Sequence, residues 1–415
     1  MAHKFEDRSD RKRVDPGTVI LPVLGAALLV FSIFIYRSSL SPQIVESPQQ
    51  TQSESAEPIP MQELEVEVLP QQPQPIPEKT RKVRLMAVGD NLIHNTVYWS
   101  AEQDDGSYDF SRFYQTFSHV TAQYDICCIN QETIFVNDAA LYGNYPHFGS
   151  PTAVGDALVQ AGFNVIECAT NHCYDKVDAG IYDTVGFWKN NYPNVTVLGI
   201  HDSQEDADTV RVVEKDGIRI AMLNYTYGLN GHTPANTYMI DVLDEEKCAH
   251  DIARAEAVSD FVVVFVHWGT EDSSTPDEQQ IAWAKFFAAH NVDAVIGAHS
   301  HLVQPMDVFL TADGKEMPCF YSLGNFLSHQ MSAEKMLGGM ARLSFIKDGD
   351  DCFVEDYKLF GTVNFLSHND EGGMWNYEPM LISDYTEQMA ARHRFAETTV
   401  EYMNELFKKE SALSQ

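Results

Sequence analysis

Six short polar clusters, each closing an apolar run, constrain this chain more than any other feature. They are Gly89-Asp90 with His94, Asn130 with Glu132, Asn171-His172 with Asp175, His267-Trp268-Gly269, His299 with His301, and Gly324-Asn325. Continuous short apolar runs are the signature of strands covered on both faces. In open α/β sheets, sites assemble where such strands reach their carboxyl ends. A single His at a strand end is ordinarily a structural residue, but six clusters in succession point to a shared site. Together they offer imidazole nitrogens, carboxylate oxygens and an amide oxygen, the set that holds one or two divalent transition metals.

Strands are expected at 83–88, 126–129, 165–168, 195–198, 218–224, 261–266, 294–296, 319–323 and 341–346, and helices at 152–161, 179–190, 244–258, 278–290 and 386–408. Strand and helix alternate, which predicts a layered α/β domain over 81–365. Segment 364–384 reads as irregular and aromatic, and 366–415 as a C-terminal segment whose helix, capped by Asp384, packs on that domain. There is no internal repeat and no Gly-rich phosphate loop.

The run 18–36 carries no charge and is long enough to cross a hydrocarbon core at about 1.5 Å per residue. Arg11, Lys12 and Arg13 precede it, so residues 1–17 are expected in the cytoplasm and everything after the span outside the cell. No small-residue cleavage pattern follows, which favours an uncleaved single-pass membrane anchor. Segment 37–80 is rich in Pro, Gln, Ser and Glu, a composition that reads as a disordered stalk. The net charge of -32 comes from 28 basic against 60 acidic residues, and it argues against nucleic acid as a partner. Seven scattered cysteines lack the dense spacing of a disulfide framework and read mostly as buried thiols, with one bridge left open.

Spacing allows the clusters to converge. His94 lies four residues after Asp90, within reach of one turn, and His299 and His301 would share one side of an extended backbone. Glu132 and Asn171 each follow a strand. Two ions roughly 3.5–4 Å apart, bridged by one carboxylate, would use all these ligands.

The strings AVGDNLIH, INQE, ATNHCYD, FVHWG, GAHSH and YSLGNF, covering 82–326 in order, resemble the CapA family of bacterial poly-γ-glutamate capsule synthesis proteins. That family is itself similar to calcineurin-like metallophosphoesterases. The resemblance implies a layered α/β/β/α metallophosphoesterase-like sandwich, preceded by one transmembrane helix. It implies Asp90, His94 and His301 on one metal and Asn171, His267 and His299 on the second. Glu132 would bridge them, where phosphoesterases usually place Asp. His172 resembles the non-ligating His that stabilises the transition state or protonates the leaving group, with Asp175 to orient it. The alternative for Asp175 is a helix N-cap, a role that suits Asp178 better. His147 matches a region that lines the family's substrate pocket. Trp268 either shields the site or packs, and Asn325 serves either the site or a turn.

The cofactor expected is a divalent metal, with two ions, and Mn, Zn, Fe and Mg are not distinguished. Partners expected are an anionic surface polymer such as poly-γ-glutamate, the membrane through the chain's own helix, and membrane subunits of a polymer synthase. Three functional readings stand together. The first is an anchored CapA-like protein with a metal-dependent hydrolase-type site, acting in polymer synthesis, export or anchoring. The second is a phosphoesterase on a wall polymer or nucleotide, and the third a non-catalytic polymer-binding subunit of a synthase.

Overall fold

The structure, a computed structural model, describes residues 80–368 and 374–412. The expected cytoplasmic segment, the membrane helix at 18–36 and nearly all of the stalk lie outside the described residues. Among those described, no helix is long and apolar enough to cross a membrane.

Sixteen strands are described: β1 (Arg81–Asn91), β2 (Ile126–Gln131), β3 (Phe135–Val136), β4 (Ser150–Pro151), β5 (Val165–Glu167), β6 (Thr196–Leu198), β7 (Arg211–Lys215), β8 (Ile218–Thr226), β9 (Phe261–His267), β10 (Ala294–Ala298), β11 (Met306–Leu310), β12 (Glu316–Phe320), β13 (Asn325–Leu327), β14 (Leu337–Asp348), β15 (Asp351–His368) and β16 (Trp375–Leu381). The first sheet runs β16-β15-β14-β1-β2-β5-β6, with β13 pairing to the end of β1. The second runs β11-β12-β10-β9-β8-β7, and β3 pairs with β4 in a small ribbon. This is a mixed α/β architecture.

Strand β9 shows why two sheets form. All seven of its residues are buried, and their side chains alternate between two cores. Phe261, Val263 and Phe265 enter a core shared with Val83, Leu85 and Ile129 of the first sheet. Val262, Val264 and Val266 instead face Ile252 and Phe287 of the helices Glu245–Glu256 and Glu278–Ala289. Those helices start where short acidic side chains can take up free amides. Asp244 accepts from Lys247 N at 2.9 Å, and Asp277 and Gln280 form a reciprocal capping box.

Parallel pairing then levels the strand ends. Asp90 lies opposite Asn130, Asn130 opposite Glu167, and His267 opposite both Ala298 and Thr226. The carboxyl ends of β1, β2, β9 and β10 thus open on the same region, as parallel sheets require of a site.

Several local expectations are corrected. The described residues of segment 364–384 are mostly strand: β15 continues to His368 and pairs with β16. Its buried polar residues Thr362, Asn364 and Ser367 interrupt the apolar pattern by which a strand is recognised. The expected helix 386–408 is two helices, Glu387–Ala390 and Val400–Glu410, with N-caps at Thr386 and Thr399 rather than Asp384. Between them Arg394 N donates to Leu366 O at 2.8 Å, so tertiary pairing to β15 wins over helix continuation. The later helix does pack, with Met403 and Leu406 in the main core. Helix Val177–Asn191 has Lys176 at its N-cap, and Asp178 accepts instead from the Tyr174 hydroxyl. The seven cysteines are free, six of them buried. Burial pushes the Cys128, Cys168 and Cys319 thiols well up, which keeps them as inert thiols.

Just beyond β6, His201 Nε2 lies 2.9 Å from Asp241 Oδ2 and its Nδ1 3.4 Å from Asp206 Oδ2. Burial alone would lower its pKa, but the two carboxylates overcome that and carry it up to about 9. The stability this cluster adds is therefore full below the ordinary His value near 6.5 and lost as pH rises through about 9. Urea denaturation at pH 6 and pH 9.5 should show a fall on the order of 1–3 kcal/mol that His201→Gln largely removes.

Candidate metal centre

Glu132 anchors the site. It follows β2, is fully buried, and neither carboxylate oxygen has a hydrogen-bond partner among the described residues. Its two oxygens look to the ends of neighbouring strands of the second sheet: Oε1 lies 4.0 Å from His267 Nε2 at the end of β9, and Oε2 3.9 Å from His301 Nδ1 beyond β10. A buried carboxylate without a partner is costly, and a cation is the usual remedy.

Two sets of ligand-type groups meet at this residue. Asp90, Glu132 and His301 form one, and Glu132, His267 and His299 the other, with their atoms within 4.8 Å of one another in each set. His301 Nδ1 lies 3.0 Å from Asp90 Oδ2. His267 Nε2 is 2.9 Å from Asn171 Oδ1 and 3.1 Å from His299 Nδ1. One ring nitrogen can offer at most one proton, yet it faces an amide oxygen, an imidazole nitrogen and a carboxylate oxygen. A divalent cation among them would satisfy every lone pair, so these residues fit a metal.

The electrostatics agree. Burial pushes the Glu132 carboxyl well above the usual carboxylate range, with Asp90 adding to the rise and His301 opposing it. Burial and the neighbouring imidazoles hold His267 well below its ordinary value and His299 down at about 3. Both rings are neutral, the form that donates to a metal. His301 goes the other way: burial would lower it, but Glu132 and Asp90 carry it up to about 9.

Backbone geometry fixes these groups. Gly89 admits no side chain, since a Cβ there would sit 1.9 Å from Gly324 O. That close approach lets Asp90 N donate to Gly324 O at 2.8 Å and seats Asp90 beside β13. Asn130 Nδ2 donates to Asp90 Oδ1 at 2.8 Å and lies 3.2 Å from His267 Nδ1, tying the two sheets together. Thr170 donates to Glu132 O at 2.8 Å, which holds the Asn171-His172 turn against Glu132. His299 and His301 do not share one side of an extended strand as their spacing suggested. Their φ values are 104° and 60°, left-handed backbone at two non-glycine residues. The reversal sends one ring to each ligand set, at a backbone cost of about 1–3 kcal/mol apiece.

The other sequence candidates distribute as follows. His94 falls outside both sets and is half-buried. Its Nδ1 lies 3.1 Å from Leu92 O and 3.2 Å from His329 N, and its ring meets Phe148 edge-on at 5.4 Å. It initiates helix Asn95–Ala101. His172 Nδ1 lies 2.7 Å from Asp175 Oδ2, which also accepts from Phe148 N at 2.7 Å. The His172 ring meets Phe148 edge-on at 4.7 Å. Trp268 points away into the outer core, with Nε1 donating to Tyr321 O at 2.8 Å. Asn325 Nδ2 donates to Gln330 Oε1 at 2.9 Å, outside both sets. His147 is exposed on the loop before β4.

Sequence reading missed the loop after β8. Tyr227 lies over His299 at 4.6 Å between ring centroids, and Asn230 reaches His172 Nδ1 at 3.4 Å. Asn224 holds the Cys168 and Ala169 amides at 3.0 and 2.7 Å. The signal was present, an apolar run ending in Asn224 and followed by polar residues, but without the Gly-Asp or Asn-His pairing of the other clusters.

A family model described as "Bacterial capsule synthesis protein PGA_cap" matches residues 84–330. The chain belongs to that family. The match spans β1 to β13 and includes every residue of both ligand sets. Among curated relatives, the "Capsule biosynthesis protein CapA" of Bacillus anthracis is 30% identical over 192 residues, 44% of each chain. The "PGA biosynthesis protein CapA" of Bacillus subtilis is 31% identical over 176 residues, 42% of this chain and 44% of that protein. The chain thus spans less than half the length of the curated relatives it matches. Solved structures include a phosphatase of Mycoplasma pneumoniae, at 13% identity and TM-score 0.44, covering 69% of this chain and 95% of that one. Another is the calcineurin-like phosphoesterase YfkN of Bacillus subtilis, at 12% and 0.38, covering 80% and 97%.

If Glu132 is relieved by a cation, chelation should destabilise the fold. Melting of metal-loaded protein is expected to drop by about 5–10 °C on adding chelator, and Glu132→Gln or His267→Ala should abolish that response. Equal drops in all three proteins would contradict it.

Proposed function

We propose that this chain is a membrane-anchored, extracytoplasmic capsule-synthesis protein whose centre holds two divalent ions and acts on poly-γ-glutamate or a related anionic surface polymer. The observation that carries the reading is Glu132, buried and unpartnered, with one oxygen towards each of two histidine-containing sets. Asp90, Glu132 and His301 would hold one ion, and Glu132, Asn171, His267 and His299 the other. Ions so held supply Lewis-acid activation of water and of a phosphoryl or carbonyl oxygen. The names of the Bacillus relatives support the polymer, and the uncharged run at 18–36 behind Arg11, Lys12 and Arg13 supports the anchor and the outward orientation.

The chain's own residues supply the rest. The Asp175 carboxylate accepts the Nδ1 proton of His172, which leaves Nε2 as the atom that exchanges a proton with the leaving group. Phe148 packs on both His172 and His94 and keeps water from that side of the ring. Tyr227 flanks His299 at the mouth, half-open to solvent, where an extended polymer could lie. The overall negative charge does not forbid an anionic substrate, because bound cations dominate their immediate surroundings.

The test is the full chain in detergent, assayed for bound metal and for turnover of poly-γ-glutamate and of p-nitrophenyl phosphate esters. Turnover of the polymer is expected, and His172→Ala should cut kcat by about 10²–10⁴-fold while bound metal is unchanged. Turnover confined to phosphate esters would make the protein a phosphoesterase. Polymer binding without turnover would make it a non-catalytic subunit, and protein without stoichiometric metal would overturn the centre itself.

A further inference from the structure

Outside the two sets at Glu132, a third group of metal-ligand side chains converges at the rim. His147, Asp175 and His232 bring one ligand atom each within 4.8 Å of one another. They come from separate loops: His147 from the segment between β3 and β4, Asp175 from the turn before helix Val177–Asn191, and His232 from the loop after β8. The His147 and His232 rings meet edge-on at 5.9 Å between centroids. Neither imidazole makes a side-chain hydrogen bond among the described residues.

The decisive atom is Asp175 Oδ1. The carboxylate side chain is fully buried, and its Oδ2 is committed to His172 Nδ1 and Phe148 N. Oδ1 has no hydrogen-bond partner among the described residues. A buried carboxylate with one oxygen lacking a donor, and a ligand atom within 4.8 Å of two imidazoles that make no side-chain hydrogen bond among the described residues, is a donor set that a divalent cation would satisfy.

We propose that His147, His232 and Asp175 Oδ1 form a rim site for a divalent cation of the zinc class, separate from the centre at Glu132. Two imidazoles and one carboxylate suit zinc or its borderline neighbours rather than calcium or magnesium, which prefer all-oxygen shells. Metal–ligand lengths of roughly 2.0–2.1 Å put tetrahedral ligand atoms about 3.3 Å apart, so a small inward movement of the two loop histidines completes the set. Three protein ligands leave a fourth position for water or for an anionic oxygen of a ligand. Because Asp175 serves both the rim ion and His172, occupancy ties the loops of His147 and His232 together directly over the proton-transferring imidazole.

The experiment is equilibrium dialysis of the full chain against zinc, followed by metal analysis. Wild type is expected to bind one more zinc than His147→Ala/His232→Ala, while His267→Ala/His299→Ala loses ions from the centre and keeps the rim ion. Loss of two ligands should weaken the rim site by more than the roughly 10–100-fold that removal of an outer-shell partner costs. Circular dichroism checks the fold. Should the double variant prove unfolded, His147→Ala alone, at an exposed position, decides in the same way. Equal zinc content in wild type and the rim variants overturns the rim site and leaves the reading of the Glu132 centre intact. Loss of zinc only in His267→Ala/His299→Ala does the same.

Discussion

The molecule is organised around one buried carboxylate. Glu132 sits where two sheets meet, and every element nearby is arranged with respect to its two oxygens: β1 delivers Asp90, β9 delivers His267, and the turn after β10 delivers His299 and His301. A carboxylate in that position would be expelled or protonated in an apolar core, and burial does push it towards the protonated form. Positive charge beside it favours its retention: His301, carried up to about 9, lies 3.9 Å from one oxygen.

Around it, one backbone approach and a few buried amide and hydroxyl side chains fix the strand ends. The contact between Gly89 and Gly324 brings β13 alongside β1, and the Asn130 amide spans from Asp90 to His267. The Thr170 hydroxyl donates to Glu132 O and accepts from His172 N, and Asn224 accepts from the Cys168 and Ala169 amides just before that turn. Ligand geometry is therefore inherited from strand register, and the loops at the mouth are free to differ. Tyr227, Asn230, His147 and His232 all belong to such loops.

Much of this was legible before any coordinates. Strands β1, β2, β5, β8, β9 and β10 announce themselves as apolar runs because both their faces are covered. The side chains that converge on Glu132, apart from His94, were named from their position just past those runs. Strands β7, β11, β15 and β16 were not seen. β7 and β11 are partly exposed, and β15 buries Asn364 and Ser367, so hydrophobicity says little about any of them. The resemblance puts His94 among the ligands; its backbone begins helix Asn95–Ala101 and its ring packs edge-on against Phe148. Trp268 follows His267 directly, and the alternation of a strand sends it to the opposite face, whereas Asn325 pairs with Asp90 across β13 and β1 and spends its amide on Gln330. Sequence marks where a strand stops; it does not say which way the next side chain turns.

The two left-handed histidines have an effect that reaches past coordination. At φ 104° and 60°, His299 and His301 are wound against the preference of any residue with a Cβ. Alanine at either position would discard the imidazole and keep the torsion, whereas glycine would discard both. A glycine variant can thus melt higher than its alanine counterpart while coordinating no better. The turn after β10 behaves as a wound spring, and ranking its variants by heat tolerance measures the unwinding rather than the chemistry.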